Sequence, residues 1–258
     1  MELQIVVCIK SVTLEPPDRQ GIRAPDSFEL NPFDRPALEA ALRMREAHGG
    51  KVTVLSMGPE PFRNALFEAM SMGVDETILV SDPAISGSDT LATSTALAAA
   101  IKKLAPFHLL LFGTRAADSD TGHVGPQTAV LLDLPMVTWV YSIEHKEKGL
   151  LVERRADDFR EQFELDFPAA MTLHPRSVKV RDVGLLGIQT AFEAGSVKEW
   201  TLADLGLTPD RVGEKGSGTK VLSLSKIEKE RKCEFLEGST EEQADELINR
   251  LSESGLMS

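Results

Sequence analysis

The run Leu109-Leu110-Leu111-Phe112 contains no polar side chain, and this constrains the fold more than any other segment. A strand with one wet face alternates apolar and polar residues, so a strand that does not alternate is covered on both sides. Ile5-Val6-Val7-Cys8-Ile9, Lys51 to Met57 (Val52, Val54, Leu55) and Thr77 to Val80 read as buried strands of the same kind. Helical spacing separates them. Asn31-Pro32-Phe33-Asp34-Arg35-Pro36 opens a helix that continues through Ala37, Ala40, Ala41 and Met44 and stops at Gly49-Gly50. Phe62, Ala65, Leu66 and Ala69 mark a second helix, ended by Gly73, and Leu97, Ala100, Ile101 and Leu104 trace a third. A further helix starts near Val124, and Pro135 introduces a strand from Met136 to Tyr141. Strands and helices alternating at this spacing call for right-handed crossovers. The expected class is α/β, a doubly wound, mostly parallel sheet with helices on both faces.

The pattern changes after Tyr141. Ser142 to Asp158 reads as a hairpin turning at Gly149, and Phe163, Leu165 and Phe167 alternate like a half-buried strand. Gly184, Gly187, Gly195, Gly206, Gly213, Gly216 and Gly218 punctuate Asp182 to Lys220, which reads as loop. A charged stretch, Lys226 to Lys232, and an amphipathic helix from Glu241 to Leu251 close the sequence. The expected organisation is an α/β core over residues 1–182, hairpin included, followed by a partner-directed loop and an extended C-terminal arm over 183–258.

Composition bounds the function classes. Lys plus Arg number 28 against 40 Asp plus Glu, a formal net charge of −12. Such a chain repels phosphate backbones and anionic lipid, so nucleic acid is not an expected partner. A nucleotide site has to be local and built from backbone donors. Cys8 and Cys233 lie too far apart in sequence for a metal-binding pair, which fits a reducing, cytoplasmic setting. No run approaches the roughly 20 apolar residues that span a bilayer, and Met1-Glu2-Leu3-Gln4 shows no basic leader. A soluble protein without membrane insertion is expected.

In an open parallel sheet, ligands sit beyond the carboxyl ends of strands, where helix N-termini supply unpaired N–H groups. Gly113 to Pro126 (Gly-Thr-Arg-Ala-Ala-Asp-Ser-Asp-Thr-Gly-His-Val-Gly-Pro) occupies that place. Gly122 and Gly125 admit a phosphate to the backbone, and the following helix adds a positive dipole end. The same residues also fit a self-contained loop in which Asp120 or Thr121 caps the helix, and position alone does not choose between the two. Gly213 to Lys220 looks like a phosphate loop, but its order is Gly-Thr-Lys where Gly-Lys-Thr is required, so it reads as a linker. His48, His108, His123, His145 and His174 show no metal spacing, and only His123 falls in the candidate loop. Ser56 and Ser94 lack the context of a nucleophile elbow. No catalytic residue and no metal site emerges. The residues carry the reading as far as a nucleotide-binding α/β protein that works with a partner.

Several segments together resemble the β subunit of electron-transfer flavoproteins. They are Val7-Cys8-Ile9-Lys10, Asn31-Pro32-Phe33 with Ala37 and Glu39, Ser56-Met57-Gly58-Pro59, Ala69-Met70-Ser71-Met72-Gly73-Val74-Asp75, the loop from Asp118 to Gly125, and Gly238-Ser239-Thr240-Glu241-Glu242-Gln243-Ala244. They run in order along nearly the whole chain. The resemblance implies an adenine-nucleotide α-hydrolase-like core and a non-enzymatic electron carrier. It also implies an obligate heterodimer with an FAD-carrying α subunit, around which the C-terminal arm wraps. It further implies a nucleotide pocket in this chain lined by Cys8, by Asn31, Pro32, Phe33 and Asp34, and by Met57. The loop completes that pocket through Gly113, Asp118, Asp120, Thr121, Gly122, His123, Val124, Gly125 and Thr128.

Ordinary members of that family hold AMP in this pocket, and electron-bifurcating members hold a second FAD. Ser81-Asp82-Pro83-Ala84-Ile85-Ser86-Gly87-Ser88-Asp89-Thr90-Leu91-Ala92-Thr93-Ser94 is similar to the bifurcating pattern, as is Asp118-Ser119-Asp120-Thr121 with Val124-Gly125-Pro126. This implies FAD in this chain, contacts from the Thr93 and Ser94 hydroxyls, and NADH as hydride donor. AMP is the alternative, with Asp89 and Thr90 simply capping the helix. His123 departs from the family's usual glutamine. The family also presents a loop to its acyl-CoA dehydrogenase, matched here by Lys179 to Ile188. Arg181 and Leu185 fall at the expected places, Leu186 and Ile188 follow, and Val180 replaces a proline. A stand-alone adenine-nucleotide-binding module is the competing class, and the long segment after residue 182 argues against it.

Overall fold

The chain starts with β1 (Leu3–Cys8) and a short antiparallel pair, β2 (Ser11–Thr13) and β3 (Phe28–Leu30), then enters α1 (Arg35–His48). Next come β4 (Gly50–Met57), α2 (Arg63–Met72), β5 (Glu76–Val80), α3 (Thr90–Lys103), β6 (Leu109–Gly113) and α4 (Val124–Leu131), in the alternation the sequence predicts. β7 (Met136–His145), β8 (Gly149–Ala156), β9 (Phe159–Asp166) and β10 (Ala169–Leu173) follow, then α5 (Leu185–Ala194), β11 (Val197–Trp200) and the short α6 (Gly213–Gly216). This computed structural model describes residues 2–13, 28–220, 222–223 and 233–256. The predicted charged stretch Lys226 to Lys232 and most of the loop after Ser11 lie outside the described residues.

All strands but β2 and β3 form one sheet in the order β11-β5-β4-β1-β6-β10-β7-β8-β9. It is parallel from β11 to β7, and β8 and β9 add antiparallel at one edge. The apolar run in β6 is explained by its two faces. Leu109 and Leu111 pack on the side of α1 and α2, and Leu110 and Phe112 on the side of α3 and α4. Each fully buried leucine there contributes roughly 1.5–3 kcal/mol.

The structure differs from expectation between residues 168 and 220. β10, which sequence reading passed over, inserts between β6 and β7. The glycine-rich segment holds a helix and an edge strand: α5 packs on α2, with Phe67 and Phe192 stacked at 5.4 Å, and β11 pairs with β5. The supposed linker at Gly213 is built in, because Val212 is buried with Ile85, Ala96 and Leu202 and Gly213 N donates to Ser88 Oγ at 2.9 Å. The first compact unit therefore runs to Lys220 rather than stopping at 182. The second unit, from Val221, contains α7 (Thr240–Glu253), opened by a capping box between Ser239 and Glu242. Among the described residues, no helix is long and apolar enough to cross a membrane.

Candidate functional site

The strand order contains a switch at β1. From β1 the chain moves out through β4 and β5 on one side, then returns to β6 on the other. Crossovers of one hand running in opposite directions put α1 and α2 on one face and α3 and α4 on the other. In such an arrangement the ligand crevice belongs past the carboxyl ends of the strands either side of the switch, here β1 and β6, which end at Cys8 and Gly113.

The turn Asn31 to Asp34 forms one wall. Gly113 admits no side chain, since a Cβ there falls 2.1 Å from Asp34 Oδ1 and 2.5 Å from Phe33 O. Asp34, expected from sequence near a helix cap, makes no cap bond. Its buried carboxylate instead accepts from Lys10 N at 2.7 Å, from the Asn31 side chain and from the Gly113 backbone. Burial outweighs these donors and pushes its carboxyl up to about 7. Cys8 is buried as well, and burial followed by the Asp34 charge pushes its thiol far up, so it stays protonated.

Asn31 fastens the candidate loop. Its amide donates to Arg115 O at 2.8 Å and its oxygen accepts from Ala117 N at 3.1 Å. Lys10 Nζ pairs with Asp118 at 2.7 Å. Arg115 lies over the Phe33 ring at 4.5 Å and pairs with Asp120 at 3.0 Å.

At the end of this loop α4 begins without a side-chain cap. The preceding residue, His123, makes no cap bond, and Asp120, with φ 54°, is turned toward Arg115. Among the described residues neither Asp120 nor Thr121 plays the capping role that the self-contained loop requires, so the N–H groups of Val124 and Gly125 have no side-chain acceptor there. The start of α3 differs. Asp89 Oδ1 accepts from Ala92 N at 2.9 Å and Oδ2 from Thr219 N at 3.0 Å. Ser94, fully buried, lies 2.7 Å from Thr90 O and 3.2 Å from Val124 O, which stitches the first turns of α3 and α4 together. Its hydroxyl is thus already engaged.

Ser56, Thr114 and Thr128, at strand ends and on α4, carry buried hydroxyls with no hydrogen-bond partner among the described residues. Leaving one unpaired costs about 1–3 kcal/mol. Uncapped backbone N–H groups together with unpaired hydroxyls suit a ligand rich in acceptor oxygens and ring nitrogens, and an adenine nucleotide fits that description.

Residues 22–205 match the electron transfer flavoprotein domain. Over 97% of its length the chain is 39% identical to the electron transfer flavoprotein subunit beta of Thermoanaerobacterium thermosaccharolyticum, covering 98% of that protein. The chain belongs to the electron transfer flavoprotein β-subunit family. Its function is electron transfer. It is also 35% identical to the caffeyl-CoA reductase-Etf complex subunit CarD of Acetobacterium woodii, over 99% of this chain and 100% of that one. It is 32% identical to the acryloyl-CoA reductase electron transfer subunit gamma of Anaerotignum propionicum, over 96% and 98%.

The residues that the family resemblance singled out are spread over several elements. Cys8, Asn31 to Asp34, Gly113 and the loop through Asp118 and Gly122 to Thr128 surround the switch point. Met57 ends the neighbouring strand β4, half-buried, and Thr93 and Ser94 lie in the first turns of α3. Leu185 and Leu186 stand exposed, 86% and 76%, on the first turn of a helix rather than a loop, with Ile188 two residues further along. Arg181 is not grouped with them. It binds Glu39 and Glu46 inside the chain. Sequence reading named Thr114 and Arg115 only as members of the candidate loop and gave Lys10 no part in it. Lys10 and Thr114 each lie just past the end of a central strand, and that position was the available signal.

Proposed function

We propose that the chain is the β subunit of a heterodimeric electron carrier, with an adenine nucleotide in the crevice past β1 and β6. It passes electrons between an acyl-CoA dehydrogenase and a second redox partner. The observation that carries the reading is the uncapped start of α4 together with the hydroxyls of Thr114 and Thr128, donors for which the described residues supply no acceptor. Family membership supports the electron-carrying role. The names of two relatives, which refer to CoA reductases, support acyl-CoA chemistry in the partner.

In this reading the nucleotide is FAD, because Ser81 to Ser94 resembles members with FAD in this subunit. The half-buried Thr93 hydroxyl also stays out of the hydrogen bonds among the described residues. Bound FAD supplies reversible one- and two-electron chemistry, with NADH as the hydride source in the bifurcating form. The chain's own residues bind and orient it. Asn31, Asp34 and Gly113 hold the wall, Lys10 fixes the loop through Asp118, and the α4 N-terminus with Thr114 and Thr128 donates to it. The α subunit brings an FAD of its own and is covered by the C-terminal arm with α7. Leu185, Leu186 and Ile188 dock the dehydrogenase, as exposed apolar anchors do. A cytoplasmic setting is consistent with two free thiols, Cys8 and Cys233.

A second reading places AMP in the crevice. It is favoured by Asp89, whose carboxylate already fills the start of α3, and by the engaged Ser94 hydroxyl. Acid release of nucleotide from the purified α/β heterodimer, resolved by chromatography, decides between them. Two FAD per heterodimer and no AMP support the first. One FAD and one AMP leave a plain carrier, and no nucleotide beyond a single FAD overturns both.

A further inference from the structure

Glu39 is a buried acid that the nucleotide crevice does not use. Its side chain is only 2% exposed, on α1, the helix that packs against β1, β4 and β6. Burial pulls its carboxyl upward, yet hydrogen bonds from Arg181 and Arg43 overcome that and hold it below the usual carboxylate range. A charge placed in a core is kept only where its partners are well fixed.

Those partners belong to the segment that leads into α5. Arg181 Nε donates to Glu39 Oε2 at 2.7 Å and the Arg181 backbone N to the same oxygen at 3.2 Å. Arg181 Nη1 reaches Glu46 at 2.7 Å, on the last turns of the same helix. Arg43, paired with Glu39 at 2.6 Å, donates from Nη2 to Lys179 O at 2.8 Å. Val180 and Val183 pack on the core to either side of Arg181. Two residues further on, α5 begins with Leu185 and Leu186 facing solvent. Its other side is held close on α2, where a Cβ on Gly187 falls 2.3 Å from Ser71 O.

We propose that Glu39 and Arg181 are positioning residues for docking: their pair clamps residues 179–184 to α1, so that α5 presents Leu185 and Leu186 to the redox partner in one fixed orientation. The proposal rests on the reading of α5 as the docking element. A clamped segment has already lost the conformational freedom that docking otherwise removes, so the pair acts on partner affinity and not on the electron-transfer step. Arg181 accordingly works from inside the chain, where the family resemblance alone suggests a residue touching the partner.

The test uses the intact α/β heterodimer with Arg181→Ala, Arg181→Lys, Glu39→Gln and Leu185→Ala. One readout is amide hydrogen exchange over residues 184–193. The other is the dependence of electron transfer on the concentration of a purified acyl-CoA dehydrogenase that reduces the unmodified heterodimer. Arg181→Ala and Glu39→Gln should both speed exchange in α5 and raise KM by roughly three- to thirtyfold, with kcat within about twofold. Arg181→Lys, which keeps the charge without the fork to both glutamates, should fall between them and the unmodified protein. If the core variants fail to fold, Glu46→Gln at the exposed rim should show the same changes at smaller size. Unchanged exchange in α5 overturns the clamp whatever the kinetics do. Unchanged KM in Leu185→Ala, with exchange speeded in Arg181→Ala, instead overturns the docking reading beneath it.

Discussion

Titration through neutrality tests how the crevice wall is built. Asp34 is 5% exposed, and its carboxyl is pushed from 3.8 up to about 7 by burial, against the pull of Lys10, Asn31 and Gly113. In the unfolded chain the group ionises near 3.9, as model carboxylates do. Between those two values the native state holds a proton that the unfolded state has lost. The stabilisation is therefore complete below about pH 4 and is given up as the pH climbs through 7. At 1.36 kcal/mol per pKa unit the full effect is about 4 kcal/mol. Asp34→Asn removes the titration and keeps the shape. Urea unfolding of both proteins from about pH 5 to about pH 8.5 should show the wild type losing about 2–3 kcal/mol relative to the variant across that window, the rest of the effect lying below about pH 5. A difference that stays flat, or that moves in the wild type's favour as pH rises, refutes the reasoning. It would mean that the three donors keep Asp34 ionised in spite of its burial.

Alkylation with iodoacetamide should modify the exposed Cys233 and spare Cys8, whose thiol burial and Asp34 hold protonated. Intact-mass spectrometry should show one adduct in the native chain and two in urea, and two native adducts would contradict the burial. Gly113→Ala drives a methyl group into Asp34 and Phe33. It should cost about 1–3 kcal/mol and lower the nucleotide that copurifies, whereas unchanged melting and content would show that the turn yields freely. Ser94→Ala cuts the stitch between α3 and α4 at a cost of about 1 kcal/mol and should leave nucleotide content intact. Loss of nucleotide in that variant would place the hydroxyl on the ligand instead.

The central alternation was legible because β1, β4, β5 and β6 are apolar runs and α1 to α3 carry helical spacing, both local properties of short segments. The run Leu109 to Phe112 alone required a covered sheet, and the glycine-rich loop after it marked the carboxyl edge without deciding between a ligand site and a self-contained loop. β10 was hidden because Ala169 to Leu173 has nothing local to say that it lies between β6 and β7. α5 was hidden for a different reason. Its large apolar residues face solvent, so no core-facing periodicity marks it, and Gly187 serves close packing on α2 rather than flexibility.

The site divides along the same line. Sequence by itself determined β1, β4, β5 and β6, the helices between them and the residue types around the switch point. It left open whether Asp120 or Thr121 caps α4, what Asp34 and Arg181 bind, and which hydroxyls lack partners. Those depend on groups far apart in the chain, such as Lys10 with Asp34, Asn31 with Arg115, and Glu39 with Arg181. Hydrogen bonds and ion pairs need partners at set distances. Only the folded backbone fixes those distances, while hydrophobic burial needs nothing more specific than a face to hide.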